Sequence, residues 1–119
     1  MMVTVRRTNT ILYCRHWRET VAFYRDVLGL TVAHTTDWLV EFRLTADSFV
    51  SIAEAARTTI ASAEGAGITL SLQVDDLDGL HRHLAEADGR PGPMQAKWGA
   101  RVFYFHDPEG HRLEAWQDE

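Results

Sequence analysis

One order of elements occurs twice along the chain, and that repeat limits the possible folds more than any single motif. Residues 8–55 and 68–117 each read strand, helix, strand, strand, strand, offset by roughly 60 residues. In the first copy "TNTILYC" (8–14) alternates, with Asn9, Ile11 and Tyr13 on one face and Thr10, Leu12 and Cys14 on the other. The period then changes. In "RHWRETVAFYRDVLGL", Trp17, Val21, Tyr24 and Leu28 recur at helical spacing, Phe23 and Val27 widen the stripe, and Gly29 stands where a helix ends. Strands are predicted over 30–34 and 37–44 around a Thr-Thr-Asp turn, and over 49–55 after "TADS". Residues 56–67 read as a linker.

The second copy opens on "ITLSLQV" (68–74), with Thr69, Ser71 and Gln73 on one face and four aliphatic residues on the other. A helix follows, capped by Asp75 or Asp76, with Leu77, Leu80 and Leu84 as its stripe and Gly89 ending it. "GRPGPM" leaves room for a short edge strand near 94–97. "ARVFYFH" and "HRLEAWQ" then flank "DPEG", a type I turn signal with Pro at its second position and Gly at its fourth.

Each copy has one helix for four strands, so its helix can cover only one face of its sheet. The other faces (Asn9, Ile11 and Tyr13; Thr69, Ser71 and Gln73) are too polar for a dry core and too apolar for open water. An α+β fold is therefore expected, in which two βαβββ modules form a curved sheet around a shared cleft. A ferredoxin-like sheet, βαβ repeated, has one strand too few per half. At 119 residues a single domain, 1–119, is expected, with modules at about 8–55 and 68–117.

A formal net charge of -5 argues against a nucleic-acid partner, since phosphate neutralisation needs a basic face. Cys14 is the only cysteine, which rules out an intrachain disulfide and suits a reducing compartment; on the helix-facing side of its strand it reads as a small buried hydrophobe. "MMVTVRRTNT" has no apolar leader region and no stretch approaches membrane-spanning length, so a cytoplasmic protein with no membrane association is expected.

Two motifs carry a family resemblance. "ETVAFYRDVLGL", with its Phe-Tyr pair and Leu-Gly exit, and "FYFHDPEGHRLEAW", with Asp-Pro-Glu-Gly and a Glu three residues after the next His, resemble the vicinal oxygen chelate superfamily of glyoxalases, bleomycin-resistance proteins and extradiol dioxygenases. The likeness spans about Thr8 to Trp116 and implies the glyoxalase/bleomycin-resistance fold. That superfamily hosts unrelated chemistries, so fold does not fix function. Its enzymes hold a divalent metal with four inward side chains. The resemblance places these at Asn9, at Ser51 or Ala53, at Thr69 and at Glu114. Only Glu114 is a strong ligand, and Asn, Ser and Thr beside one carboxylate do not offset the dehydration of a divalent cation. No metal and no cofactor are therefore expected. Glu54 lies on the opposite strand face from Ser51 unless a bulge intervenes. His81 and His83 diverge around their helix, and His106 with His111 across the turn makes an incomplete set.

What the inner faces offer instead is a site for an aromatic or charged small molecule. Asn9, Tyr13, Glu41, Arg43, Ser51, Thr69, Ser71, Gln73, Arg101, Glu114 and Trp116 are expected to point inward, with Trp38 and Trp98 at strand beginnings or loops. Planar aromatics with a few polar handles suit such ligands. Glu114, with Arg43 and Arg101 as its nominated partners, is the candidate acid or base. Two functions compete: a metal-free protein that sequesters an antibiotic or metabolite, as resistance members of the family do, and a glyoxalase- or dioxygenase-like enzyme (a lyase or isomerase) with a displaced metal site or with Glu114 as acid or base. The resemblance also implies a homodimer.

Overall fold

The computed structural model describes residues 1–119, which divide into two compact units, Met1–Ala63 and Glu64–Glu119. The first unit runs β1 (Thr8–Cys14), α1 (Trp17–Ala22), β2 (Val32–Thr35), β3 (Leu39–Arg43) and β4 (Ser48–Glu54). Its strands lie side by side in the order β1-β4-β3-β2, with β1 and β4 parallel and the other neighbours antiparallel. The second unit runs β5 (Thr69–Gln73), α2 (Leu77–Glu86), β6 (Gln95–Lys97), β7 (Ala100–His106) and β8 (Arg112–Asp118). Its order is β5-β8-β7-β6, again with the first and last strands parallel. The βαβββ pattern is present twice, and the fold class is the two-module α+β arrangement. No helix is long and apolar enough to cross a membrane.

Alternation assigns the faces of the first sheet. Leu12 and Cys14, Val40 and Phe42, and Val50 and Ile52 are all buried and lie under α1. The helix answers with Val21, Phe23 and Tyr24. Burying each large apolar side chain stabilises the unit by about 1.5–3 kcal/mol.

One feature of this helix was not legible in its spacing. From Phe23 to Val27 the coil widens into a π-helical turn, closed by the Leu28 amide donating to the Phe23 carbonyl at 2.9 Å. Two consecutive aromatics within this turn, Phe23 and Tyr24, are both buried. Gly29 follows at φ +70, the left-handed exit the sequence signalled.

In the second unit Leu77 and Leu84 of α2 are fully buried, as are Phe103, Leu113 and Ala115, with Phe105 at 1%. Leu80, placed in the same stripe by spacing, is only half-buried. Asp76 is the helix cap: its carboxylate accepts from the Gly79 amide at 3.0 Å. The Asp107–Gly110 turn closes with the expected backbone bond, Gly110 amide to Asp107 carbonyl, at 3.0 Å.

Candidate functional site

The β7–β8 hairpin decides which side chains leave the core of the second unit. Tyr104 pairs with Glu114, Val102 with Trp116 and Ala100 with Asp118, so these six share the face away from α2. Parallel β5 sets Ser71 beside Glu114, and β6 sets Lys97 beside Ala100. Together they wall a cavity of about 470 Å³ lined by Ser71, Lys97, Trp98, Ala100, Val102, Glu114, Trp116 and Asp118. That size suits a small organic ligand.

Its polar groups are few and specific. Ser71 Oγ donates to Glu114 Oε1 at 2.6 Å, and Glu114 makes no ion pair. Lys97 Nζ reaches the Tyr104 hydroxyl at 3.4 Å and sits 5.1 Å from the Tyr104 ring centre and 5.6 Å from that of Trp98. Arg112 also stacks on Tyr104, its guanidinium 4.7 Å from the ring centre, while Nε donates to Thr69 Oγ1 at 2.9 Å. Trp98 and Gly99 form the two-residue turn between β6 and β7, both at positive φ (+52 and +74), which is the type I′ hairpin geometry.

The first unit gathers its own candidates into a hydrogen-bonded chain on the face away from α1. Ser51 Oγ donates to Asn9 Oδ1 at 2.8 Å, Asn9 Nδ2 donates to Glu41 Oε2 at 3.2 Å, and Arg7 holds Glu41 Oε1 at 3.0 Å. Ser51 is fully buried there, and Ala53 lies beside Tyr13 on the same face without a polar atom to offer. Arg7 and Arg43 both stack on Phe49, at 3.9 and 4.8 Å, and Arg43 is further tied to the Ala46 carbonyl. Tyr13 is half-buried; Trp38 sits in the turn before β3, its amide bonded to Thr36 Oγ1.

Two expectations change, and the position of Glu54 follows the alternation of its strand. Arg101 does not share the face of Glu114: it pairs with Gln117 on the helix side and grips both oxygens of Asp78 on α2. That hydrogen bond, reinforced by charge attraction and opposed by partial desolvation, holds the Asp78 carboxyl below its usual range. Arg43 is held within its own unit by Phe49 and Ala46, so the charged partners nominated for Glu114 give way to the Ser71 hydroxyl. Glu54 does not rescue a metal set, because β4 keeps an unbroken register with both neighbours and Glu54 stays on the α1 side, beside Cys14 in the ladder. Of the residues expected in the cavity, Ser71, Trp98, Glu114 and Trp116 line it; Thr69 is engaged by Arg112, and Gln73 reaches Asp118 at 3.4 Å. Lys97 and Asp118 were missed. The signal for Lys97 was the two-residue Trp98-Gly99 turn, which fixes its partner as Ala100.

The donor chemistry does not fit a divalent metal. Asn9 spends its amide on Ser51 and Glu41, Thr69 carries a guanidinium on its oxygen, and Glu114 is the single charged donor of its set. No group of three or more His, Cys, Asp or Glu in the structure could hold a metal ion. Nor do the histidines supply one. His81 binds the Gly92 carbonyl at 2.8 Å and packs on Phe103, while buried His111 sets Nδ1 2.8 Å from Asp107 Oδ2 and His106 is exposed.

Comparison with known proteins gives a consistent family. The model of the Glyoxalase/Bleomycin resistance protein/Dioxygenase superfamily matches residues 6–115. The uncharacterized protein YraH of Bacillus subtilis (strain 168) is 27% identical over 124 residues, covering 89% of this chain and 93% of that protein. Among solved structures, TnmS3, an antibiotic binding protein from Streptomyces sp. CB03234, superposes with a TM-score of 0.84 at 17% identity, covering all of both chains. A lactoylglutathione lyase from Agrobacterium tumefaciens does so at 0.77 with 19% identity, covering 98% of this chain and 96% of that one.

Proposed function

The chain belongs to the Glyoxalase/Bleomycin resistance protein/Dioxygenase superfamily, and we propose that within it this protein is a metal-free binder that sequesters an aromatic or charged small molecule, such as an antibiotic or a metabolite. The observation that carries this is the second-unit cavity: two tryptophans, Trp98 and Trp116, with one carboxylate held by a serine and no set of metal donors. The likeness to an antibiotic binding protein supports the same reading at the level of fold. Protein purified without added metal is expected to carry well under one divalent ion per chain by plasma emission analysis. Zn²⁺, Ni²⁺ or Fe²⁺ at one per chain, lost on Glu114→Ala, would overturn the proposal.

Glu114 is assigned to the ligand. Its Oε1 accepts from Ser71 and its Oε2 carries no protein partner, so a ligand N–H or O–H completes it. For a ligand recovered from the purified protein by native mass spectrometry, Glu114→Gln is expected to weaken binding by about 1–3 kcal/mol, the range for a hydrogen bond to a charged group. Folding stability should change little, because the amide keeps the shape. Unchanged affinity with a large fall in unfolding free energy would make Glu114 scaffold.

The same uncommitted carboxylate supports a second reading, an enzyme in which Glu114 moves a proton as acid or base in a lyase- or isomerase-type reaction. Turnover of a hemithioacetal substrate that disappears in Glu114→Gln would favour it over sequestration.

The working form is proposed to be a two-fold symmetric homodimer with two equivalent sites. In each unit the sheet face away from the helix carries half-buried polar and aromatic side chains, Tyr13 and Glu41 in one and Tyr104 and Trp116 in the other. Light scattering at tens of micromolar should return twice the mass of one chain; the mass of one chain there would count against it.

A further inference from the structure

Resting on the binding reading above, we infer that the ligand class is a planar aromatic that bears an anionic oxygen group at one end and a hydrogen-bond donor at the other. Lys97 is the first reason. It lines the cavity, its ammonium touches only the Tyr104 hydroxyl and two aromatic faces, and no carboxylate lies within ion-pair distance of it. An ammonium offers three donors and here uses one, so an anionic ligand oxygen is the partner its chemistry leaves room for.

Glu114 supplies the complementary end. Its backbone lies opposite Tyr104, the residue whose hydroxyl holds Lys97, and the cation and the carboxylate line the same cavity without pairing with each other. Since Ser71 already donates to Oε1, the open Oε2 asks for a donor.

The aromatic platform in the same cavity is Trp98, and its backbone argues that it is kept for a ligand. A bulky residue at φ +52 is held in the left-handed region, where an L side chain is disfavoured, and Trp98 is 88% exposed. The turn it occupies favours Asn before Gly. Folding would be served better by another residue; a stacked ligand gives the indole a function.

The test is calorimetric titration of the full chain with 6-hydroxy-2-naphthoate, 2-naphthoate and the cation 2-naphthylmethylammonium, alongside melting temperatures. The hydroxynaphthoate should bind tightest and the cation weakest. Lys97→Met should weaken both naphthoates about tenfold or more and spare the cation. Trp98→Asn should weaken all three while leaving the melting temperature equal or raised, a split that a structural role for Trp98 would not give. If the cation binds and the naphthoates do not, the cavity stands as a site for cations and the anionic assignment falls; if Lys97→Met leaves naphthoate affinity unchanged, Lys97 is not the anion's partner and the assignment falls as well. If none of the three binds at about 1 mM, this ligand class falls, while the sequestration reading is decided by the metal analysis and by the ligand recovered from the purified protein.

Discussion

Gly65→Ala is expected to cost the second unit about 4 kcal/mol or more, among the largest effects of any single methyl group in this chain. Two independent causes add. At φ +85 an L side chain loses about 1–2 kcal/mol to the contact of its Cβ with its own backbone. Beyond that, a Cβ at Gly65 would meet the Gly110 carbonyl carbon at 2.1 Å, the Gly110 oxygen at 2.3 Å and the His111 nitrogen at 2.5 Å. All three are backbone atoms, so no side-chain rotation relieves the clash. Gly67 provides the control, because it has nearly the same φ, +81, with nothing within 4 Å of its Cβ. Gly67→Ala should therefore show the conformational cost alone, about 1–2 kcal/mol. Denaturant unfolding of both variants separates the two causes. A Gly65→Ala loss no larger than that of Gly67→Ala would mean that the segment can lift off the turn at no cost.

That contact marks where the sequence stops being readable. "EGAG" reads as the end of a linker, and nothing local shows that Gly65 lies against Gly110, a residue 45 positions away in the chain. Elements with a clean period were legible to within a residue or two: β1 and β7 have the expected bounds, and α2 begins after an aspartate cap. The π-helical turn was hidden for the opposite reason. Its apolar residues fit a regular helical stripe, so nothing in their spacing distinguishes the wider coil from an ordinary one.

The candidate site divides along the same line. Glu114 and Trp116 follow from alternation along a strand that has a buried apolar face in Leu113 and Ala115. Arg101 misled because alternation gives a strand two faces without saying which of them meets the helix. Its neighbours Val102 and Tyr104 belong to the cavity-side face, and the arginine is drawn to the other by Asp78, a partner on a different element. Lys97 was passed over since a Trp-Gly pair lacks the Asn that signals a two-residue hairpin, although Gly99 supplies half of that signal. Cross-element partners, and turns that use an unfavoured residue, are what a linear reading cannot rank.

Asp107→Ala should be nearly as damaging as Gly65→Ala, and it bears directly on the site. The Asp107 side chain is fully buried and its Oδ1 accepts from three successive amides, Glu109 and Gly110 at 3.0 Å and His111 at 2.9 Å. Its Oδ2 faces His111 Nδ1 at 2.8 Å. Removing the carboxylate strips the turn of that shared acceptor and leaves a buried imidazole without its charged partner. A loss of about 3–5 kcal/mol is expected. Asp107→Asn keeps an oxygen for the three amides but presents an N–H toward His111, so it should cost about 1–2 kcal/mol. The consequence for function follows from strand periodicity. This turn sets the register of β8 on β7, and a slip of one residue would turn Glu114 and Trp116 into the core and Leu113 and Ala115 into the cavity. Naphthoate affinity measured below the melting transition should therefore fall in Asp107→Ala and persist in Asp107→Asn. If Asp107→Ala unfolds within about 1 kcal/mol of the parent chain, the turn is held by its backbone and by Gly65 instead, and the carboxylate is not what keeps Glu114 in place.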